Sequence, residues 1–94
     1  MVVGFRHKGL RRFFGRGDTR GIDARHAQRL RRVLSLLHQA ERLSDLRPFV
    51  FLHLHPLKGD QRGRWAVDVS GNWRITFSVN ADGAFEELDY EDYH

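Results

Sequence analysis

Apolar residues recur with two different periods along this chain, and the change falls at Pro48. Upstream, Leu10, Phe13 and Phe14 lie at helical spacing in HKGLRRFF. The GRG at 15–17 ends that turn, because glycine accepts the left-handed backbone of a helix stop. Farther on, Ala27, Leu30, Leu34 and Leu37 recur at i, i+3, i+7 and i+10, one stripe of a helix reaching about Ala40. Asp23 precedes it as a candidate N-cap, since its short carboxylate can accept the unpaired N–H groups of a first turn. Arg25, Arg29, Arg31 and Arg32 fall mostly off the stripe, and Arg25, near the start, is opposed by the helix dipole. LSDLRP reads as a short helical turn broken by Pro48, and VVGF at 2–5 as a short edge strand.

Beyond Pro48 the period is two. In FVFLHL, Val50, Leu52 and Leu54 face one way, and Phe51, His53 and His55 the other. HPLKGDQRG is a turn-rich loop. RWAVDV puts Trp65, Val67 and Val69 inside, and SGN is a tight connection. WRITFSV puts Trp73, Ile75, Phe77 and Val79 inside, with Arg74, Thr76 and Ser78 outside. NADG turns the chain into AFEELDY, a last strand of less regular pattern. Helices first and strands after predict an α+β fold: two N-terminal helices packed on one face of a largely antiparallel β-sheet. The other face carries His55, Arg74 and Thr76, and such a polar face is a place for a site. Trp65 and Trp73 fall on the apolar alternation and are assigned to the core. His7, His26 and His38 show no paired spacing and are assigned to the surface.

Composition narrows the class. Ninety-four residues, 40% of them hydrophobic, make one domain over 1–94 and not a disordered chain. No run approaches the roughly 18 apolar residues of a membrane span. MVVGFRHKGLRRFF lacks the apolar stretch and cleavage site of a signal peptide. The expectation is a soluble, cytoplasmic protein without a membrane partner. There is no cysteine, hence no disulfide framework and no zinc ribbon. Charge is uneven: residues 1–47 hold 12 Lys/Arg against 4 Asp/Glu, whereas residues 48–94 hold 4 against 8. Of the 16 basic residues 14 are arginine, the better phosphate fork, so the basic half suggests a polyanionic partner such as RNA.

The stretch LHPLKGDQRGRWAVDVSGNWRITF, followed by DYEDYH, resembles the HigB-type branch of the RelE superfamily. These are bacterial toxins of toxin–antitoxin modules, once described as plasmid maintenance system killers. The match covers nearly the whole chain, including the helix–helix–sheet order. The resemblance implies a RelE-like, microbial-RNase-like fold and a ribosome-dependent endoribonuclease that cuts mRNA in the ribosomal A site. It also implies a HigA-like helix-turn-helix antitoxin, through which the complex binds operator DNA. By the same resemblance His55 matches the histidine of HPLKG, and Lys58 its phosphate-reaching lysine. Arg74 matches the arginine of NWRI-x-F, and Asp92, Tyr93 and His94 the C-terminal motif.

Those residue types suit metal-free RNA cleavage. A 2′-hydroxyl must lose a proton, the leaving 5′-oxygen must gain one, and charge on the phosphorane must be neutralised. His55 and His94, the latter beside Asp92, are candidate proton carriers, because imidazole titrates near neutrality. Arg74 neutralises transition-state charge, Lys58 takes a substrate phosphate, and Tyr93 stacks on or orients a base. Free ends usually fray, so a titratable histidine after Asp92 and Tyr93 reads as tied down and used. No metal or other cofactor is called for. Arg11, Arg12, Arg25, Arg29 and Arg32 crowd like charge on the helices and are assigned to docking on ribosomal RNA. Three simpler readings compete: a non-catalytic RNA- or ribosome-binding module, a small metalloprotein using His53, His55 and His94, and a mere surface bridge from Arg74 to a carboxylate such as Asp68.

Overall fold

In this computed structural model residues 1–93 are described. Helix α1 spans Lys8–Arg16. The Nδ1 of His7 accepts the Leu10 N–H at 2.9 Å and so fills a donor left open by the first turn. Gly17 ends it at φ 70, donating its N–H to the Phe13 carbonyl. A 3₁₀ turn over Ala24–His26 then leads into α2, Ala27–Gln39. Asp23 caps the turn: its carboxylate accepts the Arg25 N–H at 3.0 Å and the Arg25 Nη2 at 2.7 Å. These hydrogen bonds hold its pKa down, from 3.8 to about 2. The cation that the helix dipole opposes is thus neutralised by the cap itself.

Strands β1 (His55–Pro56), β2 (Arg64–Ser70), β3 (Trp73–Val79) and β4 (Phe85–Asp92) form one antiparallel sheet in chain order. The helices lie on one face, so the fold is α+β with two N-terminal helices on an antiparallel sheet. Leu10, Leu30, Val33, Leu34 and Leu37 meet Val67, Val69, Ile75, Phe77, Phe85 and Leu88 in one buried core. Trp65 and Trp73 are half-buried against it. The irregular pattern of β4 has a backbone cause. Thr76 faces Asp89 but Ser78 faces Glu86, so β4 carries one extra residue, and Glu87 takes φ 54. The inward positions are therefore Phe85, Leu88 and Tyr90, spaced three and then two.

Three expectations need correction. The segment 50–54 is not a strand. Val50–Leu52 form a 3₁₀ turn, His53 takes φ 48, and pairing begins only at His55. Val50 is 76% exposed while Leu52 is fully buried. Alternation over so few residues fits a tight turn after Pro48 as well as it fits a strand. VVGF is no strand either; Val2 and Phe5 make two isolated parallel bridges, to Phe85 and Leu88 of β4. Finally, His26 is not at the surface: it is buried, with Nδ1 at 2.6 Å from the Tyr90 hydroxyl. His7 caps α1, and the Nδ1 of the exposed His38 accepts the Val2 N–H at 3.3 Å. Each of these side chains is used by tertiary structure, which sequence spacing does not report. Among the described residues no helix is long and apolar enough to cross a membrane.

Candidate active site

Facing residues of antiparallel strands project to the same side of a sheet, so the register reads out the polar face. One row across it is His55, Ala66, Thr76 and Asp89, and the next is Asp68, Arg74 and Glu91. At the end of this face, the loop after β1 and the end of β4 enclose a cleft of about 770 Å³. His55, Lys58, Arg74, Asp92 and Tyr93 all line it. His94, the remaining site residue anticipated from the sequence, lies outside the described residues.

Arg74 is the best-held group in the cleft. Its Nε and Nη2 both donate to Glu91 Oε1, at 3.1 and 2.9 Å. The Gln61 side-chain amide donates to the same oxygen at 3.3 Å. The ring of Tyr93 covers the guanidinium, 4.4 Å from Cζ to centroid. Tyr93 is fixed in turn, because its N–H donates to the Asn72 carbonyl at 2.7 Å. Edge and face of the guanidinium are therefore both set, and Nη1 is the nitrogen Glu91 does not engage. The Arg74 side chain is 11% exposed, so its charge acts with less screening than a surface arginine's. The anticipated bridge to Asp68 is not the one formed. Asp68 faces Arg74 in the register, but its carboxylate lies 3.1 Å from His53 Nδ1.

The imidazole of His55 is exposed, with Nδ1 2.7 Å from the His53 carbonyl oxygen. A carbonyl only accepts, so Nδ1 carries a proton, and Nε2 of the neutral ring is left able to take one. The left-handed backbone at His53 precedes this contact. Lys58 is exposed on the loop between β1 and β2 and precedes the 3₁₀ turn at Gly59–Gln61. Asp92 closes β4 opposite Trp73. His53 and His55 do not share a strand face, since His53 sits in the turn. Among the described residues no three of His, Cys, Asp and Glu are placed to hold a metal ion.

Two cations of the polar face differ in use. Arg64 is buried, donating to Ser78 Oγ at 3.0 Å, Thr76 Oγ1 at 2.9 Å and the Glu87 carbonyl at 2.9 Å. Burial lowers its pKa, yet a guanidinium stays protonated, and it ties β2 and β3 to the bulge of β4. Arg74 is the cation that reaches the cleft. Arg11, Arg12, Arg25, Arg29 and Arg32 are exposed on the helical side and do not line the cleft. Sequence reasoning missed Glu91 and Gln61. For Glu91 a signal existed: it lies two residues before Tyr93, so alternation along β4 carried one residue past its end brings both to the side of Arg74. For Gln61 there was none, because a loop brings it over.

An aligned guanidinium, an aromatic ring, an imidazole of set tautomer and a lysine around one cleft can bind and polarise a phosphodiester. Residues 3–94 match the HigB-like toxin family, described as the RelE-like toxin of type II toxin-antitoxin system HigB. The chain is 41% identical over 95 aligned positions to the Endoribonuclease HigB of Proteus vulgaris, with the whole of both chains covered. The chain belongs to the HigB-like toxins, the RelE-like toxins of type II toxin–antitoxin systems.

Proposed function

We propose that this toxin is an endoribonuclease that cuts mRNA in the ribosomal A site and so stops translation and growth. The observation that carries the reading is the meeting of Arg74, Tyr93, Lys58, Asp92 and His55 around one cleft. The similarity to an endoribonuclease over the whole chain supports it. The 2′-oxygen attacks phosphorus while its proton passes to a base, and the P–O5′ bond breaks as an acid protonates the leaving oxygen. The products are a 2′,3′-cyclic phosphate and a 5′-hydroxyl. Arg74 neutralises the phosphorane, Lys58 takes a substrate phosphate, and Tyr93 stacks on a base. His55 and His94, with Asp92, carry the protons, and no metal takes part.

The protein acts with two partners. A cognate antitoxin silences it; we assign this to a HigA-like helix-turn-helix protein whose complex with the toxin binds operator DNA. The ribosome supplies a docking surface, which Arg11 and Arg12 on α1 meet with positive charge, so the site of action is the cytoplasm. Docking fixes the mRNA for in-line attack, and positioning alone supplies about 7–11 kcal/mol. Mapping mRNA 5′ ends after incubation with translating ribosomes tests the reading. New ends within A-site codons, bearing 5′-hydroxyls and insensitive to chelators that spare the ribosome, are expected. Ends bearing 5′-phosphate overturn the mechanism, and a full absence of new ends overturns the activity.

A further inference from the structure

We infer that Arg25, in the turn leading into α2, and Arg29 and Arg32 on α2 grip the phosphates of the mRNA strand flanking the cut, rather than ribosomal RNA. The inference rests on the cleft being the place where RNA is cleaved. Three adjoining hollows carry it. The cleft ends at Gly71, Asn72 and Asp92, and a hollow of about 340 Å³ begins on the same three residues. That hollow reaches Arg25, His26 and Ser70, which also line a third hollow, of about 460 Å³, with Arg29 and Arg32. A path therefore runs from Arg74 around the β2–β3 turn to Arg32. Arg11 and Arg12, on α1, line none of it.

The chemistry along the path suits a single strand. Arg29 and Arg32 are spaced i and i+3 on α2, and Arg25 precedes them in the 3₁₀ turn, so the three follow one another along one side and line one hollow. Residues 24–40 contain no Asp or Glu, so Arg29 and Arg32 meet no carboxylate on their own helix, whereas Arg25 is paired with Asp23 just before it. Two of the three guanidiniums are oriented already. Arg25 pairs with Asp23 at 2.7 Å, and Arg32 lies 4.4 Å over the ring of Phe51. A stacked guanidinium keeps its in-plane N–H donors for phosphate. Docking on ribosomal RNA requires no channel to the cleft, whereas a strand threaded past Arg74 does.

The test uses RNAs that cannot be cut, because every 2′-oxygen is methylated. One spans only the cleft, and one extends past it. The longer RNA is expected to bind the wild type more tightly, and Arg29→Gln/Arg32→Gln to lose that gain while binding the short RNA unchanged. The salt slope of the longer RNA should fall by about 1.4, or about 0.7 for each lost phosphate contact. Both arginines are exposed, so unaltered melting certifies the fold. Equal binding of the two RNAs by the wild type, or an unchanged gain in the variant, overturns the inference. The chain has no cysteine, so Arg29→Cys gives a unique point for a photo-crosslinker on translating ribosomes. Crosslinks to mRNA are expected, and crosslinks to ribosomal RNA alone overturn it. Uncut mRNA in the wild-type reaction is a separate failure: it sinks the enzyme assignment, whatever position 29 touches.

Discussion

At the scale of the residue, Glu91 sets how Arg74 presents its guanidinium to the cleft. By taking Nε and Nη2 it fixes the plane of the guanidinium under Tyr93. It also cancels part of the charge that Arg74 brings to the cleft, so orientation is its gain and field strength its loss. Glu91→Ala frees the guanidinium to swing and leaves a mostly buried cation short of a partner. We expect cleavage to fall by about 10²-fold from misplacement. Melting should also drop, by an amount matching about 1–3 kcal/mol for the unsatisfied donors. Glu91→Gln keeps an acceptor oxygen and should recover most of the activity. Equal single-turnover rates for the alanine variant and the wild type would leave Glu91 without a positioning role. Arg74→Lys probes the other partner, because an ammonium cannot lie flat under Tyr93 while holding both an acceptor and a phosphate. RNA should still bind to it and be cut slowly; wild-type single-turnover cleavage would make Arg74 structural.

At the scale of the element, α1 contains two glycines with opposite duties. A Cβ on Gly9 would stand 2.3 Å from the Gly21 carbonyl oxygen, so helix and loop touch backbone to backbone. A Cβ on Gly15 meets nothing within 4 Å. Gly9→Ala should therefore destabilise the fold by about 1–3 kcal/mol through overpacking. Gly15→Ala should stabilise it by about 0.5–1 kcal/mol, because alanine loses less entropy in a helix. Chemical denaturation of the two variants checks both signs. The start of α2 has a pH signature. The pKa of Asp23 is depressed by the hydrogen bonds from Arg25, so its carboxylate binds protons less readily folded than unfolded. Its stabilisation is present above the ordinary carboxylate value of 3.8 and is lost as pH falls through about 2. Asp23→Asn keeps the cap without the charge. The melting difference between wild type and this variant should hold steady above pH 4 and close toward pH 2.

At the scale of the whole molecule, the charge asymmetry becomes a division of surfaces. The net +8 of residues 1–47 lies on the helical side, while Glu91 and Asp92 at the end of β4 line the cleft. Arg11→Glu/Arg12→Glu removes charge from α1, away from the path that leads out of the cleft. Ribosome affinity should fall and lose steepness with salt, with melting unchanged. Binding of short uncuttable RNA should not change. An unaltered ribosome affinity across a salt series would leave α1 without a docking role.

How much of this was legible in the sequence follows from which forces are local. The period of three to four before Pro48 and of two after it specifies which face each helix and most strands bury, because amphipathic periodicity is itself the driving pattern of burial. That was enough for the α+β class, both helices, the Asp23 cap and the turn between β2 and β3. The motif residues were legible by resemblance. Three things were not. The 50–54 segment alternates as a strand does, yet among the described residues no neighbouring strand pairs with it, so pairing and not pattern made it a turn. The bulge at Glu87 shifts every later residue of β4 by one, and only the register with β3 reveals it. His26 looked like surface because nothing near it in sequence needs it; its partner Tyr90 is 64 residues away. The same holds for the site. Sequence named Arg74 and Tyr93, but their stacking, and the carboxylate of Glu91 beside them, exist only because β3 and β4 pair in one register and because the Asn72 carbonyl holds the Tyr93 amide. Local periodicity determined the elements, and long-range pairing decided which side chains meet.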